Sequence, residues 1–148
     1  MATVYVSGII DAPADEVWAY ARDYNGHDEW HPLIAESTIE DGLASDTVGC
    51  VRNFTLTNGG HLRERLIEFS DRQRSFTYEI IVSPMPIANY VATFHVMPVT
   101  ESGQSFVEWY ANFDVSPEDE PTIREQVGRN TFAAGIAALE KAVHARRT

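Results

Sequence analysis

The feature that most constrains this chain is a change of apolar period near its end. Up to Val115 the apolar residues recur at strand spacing, and from about Pro121 to Arg146 they recur at helical spacing. Thr3 to Ile10 is β-branched and aromatic, as strands are. Asp11-Ala12-Pro13 breaks it, and Pro13 with Asp15 and Glu16 opens a short helix whose apolar side is Val17, Trp18 and Ala21. Asn25 to Pro32 reads as a loop or a second short helix. Six strand candidates follow: Ile34–Glu40, Gly49–Thr57, His61–Phe69, Ser75–Val82, Asn89–Met97 and Ser105–Val115. Turn residues separate them, among them Asp41-Gly42, Asn58-Gly59-Gly60, Asp71, Pro84 with Pro86, and Ser102-Gly103. The last segment carries Ile123, Val127, Thr131, Phe132, Ile136, Leu139 and Val143 on one stripe. Strands in series closed by a helix predict an α+β fold with a curved seven-stranded antiparallel sheet around a long C-terminal helix. No linker, repeat or low-complexity tract interrupts residues 1–148, so the expectation is one domain.

One helix about 10 Å wide cannot fill a strongly curved sheet of that size. Its small residues, Gly128, Ala133, Ala134, Gly135, Ala137 and Ala138, are expected to leave further volume. Together these predict an internal apolar cavity.

The register of one hairpin follows from its apolar pattern. A three-residue loop, Thr57-Asn58-Gly59, with Gly59 left-handed, pairs Phe54 with Leu62 and Arg52 with Glu64. That choice gathers Phe54, Leu56, Leu62 and Leu66 on one face, and a one-residue slip would scatter them. Glu64 then lies on the apolar face with Arg52 as its partner. The same alternation turns Phe76, Tyr78 and Ile80 inward, then Tyr90, Ala92, Phe94 and Val96. On the last strand Phe106, Glu108 and Tyr110 share one face and Val107, Trp109 and Phe113 the other. Both sets are apolar in character, so the pattern leaves their facing open, and Glu108 is taken as a pocket candidate.

The totals exclude several classes. Acidic residues number 22 against 11 basic ones, for a net charge of -11. That balance argues against nucleic acid and against anionic membrane surfaces, which need clustered Lys and Arg. No apolar stretch is long enough to insert in a bilayer. Cys50 is the single cysteine, so no intrachain disulfide forms, and no basic region precedes an apolar run at the N-terminus. The expected location is cytoplasmic, and a homodimer is left open. There is no Gly-rich phosphate loop, no Gly-x-Ser-x-Gly and no Cys-x-x-Cys. His27 and His31 lie four apart, but the order His-Asp-Glu-Trp-His is not the zincin pattern, and Gly26 and Pro32 argue against a regular helix there. No metal or cofactor is expected.

An ordered set of short segments resembles the START-like, helix-grip superfamily, which includes the birch-pollen-allergen-like proteins and the bacterial polyketide cyclase/dehydrase (SRPBCC) family. It runs from Ala12-Pro13 before Val17-Trp18, through Trp30-His31-Pro32, Glu40-Asp41-Gly42, Val48-Gly49-Cys50-Val51-Arg52, Glu64-Arg65-Leu66, Tyr78, Asn89-Tyr90 and Glu108-Trp109, to Gly135-Ile136-Ala137-Ala138-Leu139. The resemblance implies a large cavity between sheet and C-terminal helix for lipids, polyketides or other apolar compounds. The chain is also distantly similar to the plant abscisic-acid receptors. By motif, Glu64, Tyr78, Tyr90 and Glu108 match their pocket-lining positions, and His31 matches the lysine that meets the ligand's carboxylate. Here that position is not lysine, the Thr57–Gly60 loop is shorter than the receptors' gate, and Ser83–Ala88 lacks their His-Arg latch. Hormone signalling and a phosphatase partner are therefore not carried over.

The ligand-binding candidates are His31, Arg52, Phe54, Glu64, Tyr78, Tyr90 and Glu108. The first functional expectation is binding or transport of a small hydrophobic molecule. The alternative is a cyclase, aromatase or dehydratase using Glu64 or Glu108 as acid or base and Tyr90 on an enolate. Against both stands the plainer reading of Arg52–Glu64 as a structural ion pair, and of Trp18, Trp30 and Trp109 as core.

Overall fold

The computed structural model describes residues 1–146. Strand β1 (Ala2–Ile10) leads into helix α1 (Ala14–Ala21), with Pro13 just before its first residue, and then a single 3₁₀ turn, Gly26–Glu29. Six strands follow: β2 (Ile34–Ile39), β3 (Val51–Leu56), β4 (His61–Ser70), β5 (Ser75–Val82), β6 (Ile87–Val99) and β7 (Gln104–Val115). They form one antiparallel sheet in the order β1-β7-β6-β5-β4-β3-β2. The architecture is the α+β one expected from the period change, in the helix-grip arrangement that the resemblance implies.

Register breaks bend this sheet. They fall between Ile34 and Glu36, between Arg63 and Glu64, between Leu66 and Glu68, and between Ala88 and Val91. Each inserts an extra residue on one strand, which kinks it and strengthens its twist. Asn89, inside the last break, takes φ 54°, a conformation Asn tolerates better than most residues. The β3–β4 hairpin has the expected odd loop. Gly59 is left-handed at φ 92°, the Leu56 N–H donates to the Gly60 carbonyl at 2.7 Å, and Phe54 faces Leu62 while Arg52 faces Glu64.

The C-terminal helix runs as α2 (Glu120–Glu125), a π-helical stretch (Gln126–Ala133) and α3 (Ala134–Arg146), with helical backbone at both junctions. The apolar spacing explains the π turn. Ile123 and Val127 are four apart, as are Phe132 and Ile136, but Val127 and Phe132 are five apart and all four are buried. An α-helix would rotate one pair off the sheet. A wider i→i+5 turn keeps both pairs facing it.

Of the small residues of this helix, Ala134 lines the pocket, but Gly128 and Gly135 do not leave the volume expected of them. A Cβ on Gly135 would sit 2.8 Å from Trp109 Cζ3 and 2.9 Å from His31 Cδ2, and one on Gly128 would sit 3.3 Å from Val4 Cγ1. These glycines let the sheet and the His31 segment approach the helix, so they remove volume. Gly135→Ala is expected to cost about 1–3 kcal/mol through overpacking, outweighing a helix-propensity gain of about 1 kcal/mol. Thermal unfolding measures this, and a variant as stable as the parent would mean Trp109 and His31 can yield.

Candidate functional site

Where the sheet curves away from α2 and the π stretch, a pocket of about 810 Å³ remains. Its exposed lining residues mark the mouth: Asn58 in the β3–β4 loop, Pro84 and Pro86 in the β5–β6 loop, and Gln126, Arg129 and Asn130 on the π stretch. Its apolar wall includes Phe54, Leu56, Leu62, Ile80, Ile123 and Val127. At the buried end stand Arg52, Glu64, Tyr78, Tyr90, Trp109 and the two histidines.

Arg52 and Glu64 come from facing positions on β3 and β4, and both are almost fully buried. Arg52 aims Nε at Glu64 Oε1 at 2.8 Å and Nη2 at the same oxygen at 2.6 Å. Its Nη1 donates to the Tyr24 carbonyl at 2.9 Å and to His27 Nδ1 at 3.0 Å. The rings of Tyr24 and Tyr78 lie 4.0 and 4.8 Å from the guanidinium carbon. Burial pushes the Glu64 carboxyl above the usual carboxylate range, and Arg52 pulls back against that shift.

The partners of each histidine assign its tautomer. His27 Nε2 meets the Ala21 carbonyl at 3.2 Å while Nδ1 accepts from Arg52, so His27 is neutral with its proton on Nε2. His31 donates from Nε2 to the Thr131 carbonyl of the π stretch at 2.8 Å and accepts at Nδ1 from the Leu33 N–H at 3.2 Å. Burial holds both imidazoles below their ordinary pKa, His27 well below, and the nearby Arg52 charge adds to this. His31 is therefore pocket wall and helix anchor. Both ring nitrogens are spent on backbone, and it carries no positive charge where the resemblance implies a carboxylate contact.

Trp109 Nε1 donates to the Tyr78 hydroxyl at 3.1 Å, and the Trp109 ring stacks on Phe132 at 4.8 Å between centroids. Burial raises the pKa of both Tyr78 and Tyr90, and the Glu64 charge adds to it. Both phenols stay protonated at any neutral pH.

Glu108 corrects the sequence reading. It lies opposite Ser7 and His95 on the outer face of the sheet, accepting from the Tyr5 hydroxyl at 2.5 Å and facing His95 Nδ1 at 3.0 Å. Trp109, its neighbour, turns inward instead. The reason is that the outer face here is itself aromatic, with Tyr5 and Tyr110 stacked 5.9 Å apart, so hydrophobicity does not mark the inner side of β7. Of the seven candidates, His31, Arg52, Phe54, Glu64, Tyr78 and Tyr90 meet at the pocket and Glu108 does not. His27 and Trp109 line the buried end and Tyr24 backs it through its contacts with Arg52, and none of the three is among those candidates. Tyr24 and His27 sit in an irregular segment where periodicity carries no facing information.

Among the described residues no three His, Cys, Asp or Glu side chains converge to hold a metal, and no helix is long and apolar enough to cross a membrane. No curated protein matches the sequence. Among solved structures, a Thermobifida fusca protein is 33% identical, with 98% of this chain and 95% of that one covered and a TM-score of 0.87. XoxI from Bacillus cereus is 31% identical over 100% and 99% of the two chains, with a TM-score of 0.83. Norcoclaurine synthase from Thalictrum flavum, solved in complex with dopamine and hydroxybenzaldehyde, is 18% identical over 99% and 88%, with a TM-score of 0.77, a likeness of fold alone. The family model described as polyketide cyclase/dehydrase and lipid transport matches residues 1–144, and the chain belongs to that family.

Proposed function

We propose that this protein binds a small hydrophobic molecule in the pocket between its sheet and C-terminal helix, for storage or transfer. The observation that carries the reading is the pocket of about 810 Å³, apolar along its walls with its polar groups collected at the buried end. Drug-sized ligand sites span roughly 300–1,000 Å³ with that same distribution. Family membership supports hydrophobic-ligand binding in general terms.

The enzymatic alternative, a cyclase, aromatase or dehydratase, is weakened by the outward turn of Glu108. An acid and a base on two carboxylates is no longer available, and Glu64 with the phenols of Tyr78 and Tyr90 would have to serve both roles.

Nile red, which fluoresces in apolar surroundings, tests the binding reading directly. It is expected to bind saturably at one site. Ala134→Phe, which adds a ring to the pocket wall, should weaken that binding about tenfold or more. Native mass spectrometry of freshly purified protein supplies the companion result. A co-purifying apolar compound that is unchanged after incubation supports storage or transfer, whereas one that is converted favours the enzyme. Failure to take up the dye would sink the pocket reading.

A further inference from the structure

The buried end of the pocket has an uneven supply of hydrogen-bond partners, and that imbalance restricts what can sit there. Both close contacts from Arg52 fall on Glu64 Oε1. Among the described residues, nothing donates to Glu64 Oε2, although the side chain is only 6% exposed and lines the pocket. That oxygen is not sealed off: among the described residues the one sealed side-chain polar atom without a partner is Trp30 Nε1, so Oε2 opens onto the cavity. An apolar ligand filling the pocket would strip its water, and leaving it without a donor would then be costly. It is an acceptor waiting for a donor.

The cationic groups at the buried end are, by contrast, engaged, and Arg129, the other arginine lining the pocket, stands at the exposed mouth. Arg52 spends Nε and Nη2 on Glu64 and Nη1 on the Tyr24 carbonyl and His27 Nδ1, and its face is covered by Tyr24 and Tyr78. His27 and His31 are neutral and have committed both ring nitrogens within the protein. A carboxylate at this end would lie beside the Glu64 carboxylate with no cation free to meet it, an arrangement that burial makes unfavourable. An ammonium would find Glu64 already neutralised and Arg52 beside it. A neutral group that donates a hydrogen bond meets neither penalty.

We infer that the pocket selects an uncharged apolar ligand bearing a hydroxyl at its buried end, with that hydroxyl donating to Glu64 Oε2, and that it discriminates against carboxylates. This rests on the binding reading above and adds the ligand's chemical class. It also departs from the carboxylate contact implied by the resemblance to hormone receptors, because His31 is not a free cation here.

Three naphthalene probes of nearly equal size test it at neutral pH: 2-naphthol, 2-methoxynaphthalene and 2-naphthoate. Binding is read by calorimetry and by the NMR shift of the Trp109 indole N–H, which lies at the buried end. The naphthol is expected to bind about tenfold or more tighter than the methyl ether, as a hydrogen bond to a charged acceptor allows, and the naphthoate should bind weakest. In Glu64→Gln, the amide oxygen can keep Arg52 while its NH₂ faces the pocket, so the naphthol's advantage over the ether should collapse. If that variant does not fold, the three-probe series on the parent protein still decides. Equal affinity for naphthol and ether, or a naphthoate that binds as tightly as either, overturns the hydroxyl assignment while leaving an apolar pocket standing. If none of the three binds, the assignment and the pocket reading fail together.

Discussion

Replacing Arg52 by methionine is expected to destabilise the protein by about 3–5 kcal/mol, the range for breaking a buried ion pair on one side. The change leaves the Glu64 carboxylate buried without its partner, and it also strips the Tyr24 carbonyl and His27 Nδ1 of their shared donor. Chemical denaturation at neutral pH measures the loss. The double variant Arg52→Met with Glu64→Leu should recover much of it, since a well-packed apolar pair can replace a buried ion pair at little cost. Lowering the pH should also narrow the gap in the single variant, because an unpaired Glu64 protonates readily. A single variant as stable as the parent would show that the pair does not hold this end of the fold, leaving it to ligand alone.

The second large effect is with pH. His27 and His31 have folded pKa values below their unfolded value, His27 well below. As the pH falls through about 6.5, the unfolded chain takes up protons that the native state refuses, so stability falls on acidification. Each histidine that stays neutral in the native state contributes a slope approaching about 1.4 kcal/mol per pH unit below that point. Glu64 works the other way. Its folded pKa is raised, so the native state binds that proton first, and its contribution grows as the pH falls through the folded value. Comparing variants separates the two. His27→Gln keeps an acceptor for Arg52 and a donor for Ala21, and should flatten the slope between about pH 6 and 5 by up to about 1.4 kcal/mol per unit. An unchanged slope would mean that His27 is protonated in the folded protein.

The strands, the final helix and the Arg52–Glu64 pairing were legible because each rests on a rule that tolerates no slip. One residue of error in the β3–β4 hairpin would put Phe54 and Leu62 into water, so the apolar pattern alone selects the loop. Glu108 was not legible because β7 is apolar on both faces, and its facing depends on Tyr5 and His95, which come from other strands. Tyr24 and His27 were missed for a related reason: they are placed by the turn after α1, and no period governs a turn. The part played by the helix's small residues was only half legible: Ala134 lines the pocket, while Gly128 and Gly135 are pressed against Val4, Trp109 and His31. Small residues on a helix suggest empty space, but Gly135 shows that they equally permit contact, and only the opposing side chains decide between the two.

The π stretch gives the C-terminal helix an uneven tolerance to changes in length. Val127 and Phe132 stand five apart, and the wide turn between them absorbs the odd residue. Deleting Asn130 would leave them four apart, which an ordinary α-helix carries without losing its buried stripe. The same deletion within α3 would rotate everything beyond it by about 100° and turn Leu139 or Val143 toward solvent. Chain length in this helix is therefore negotiable on the wall of the pocket and fixed where the helix closes the core.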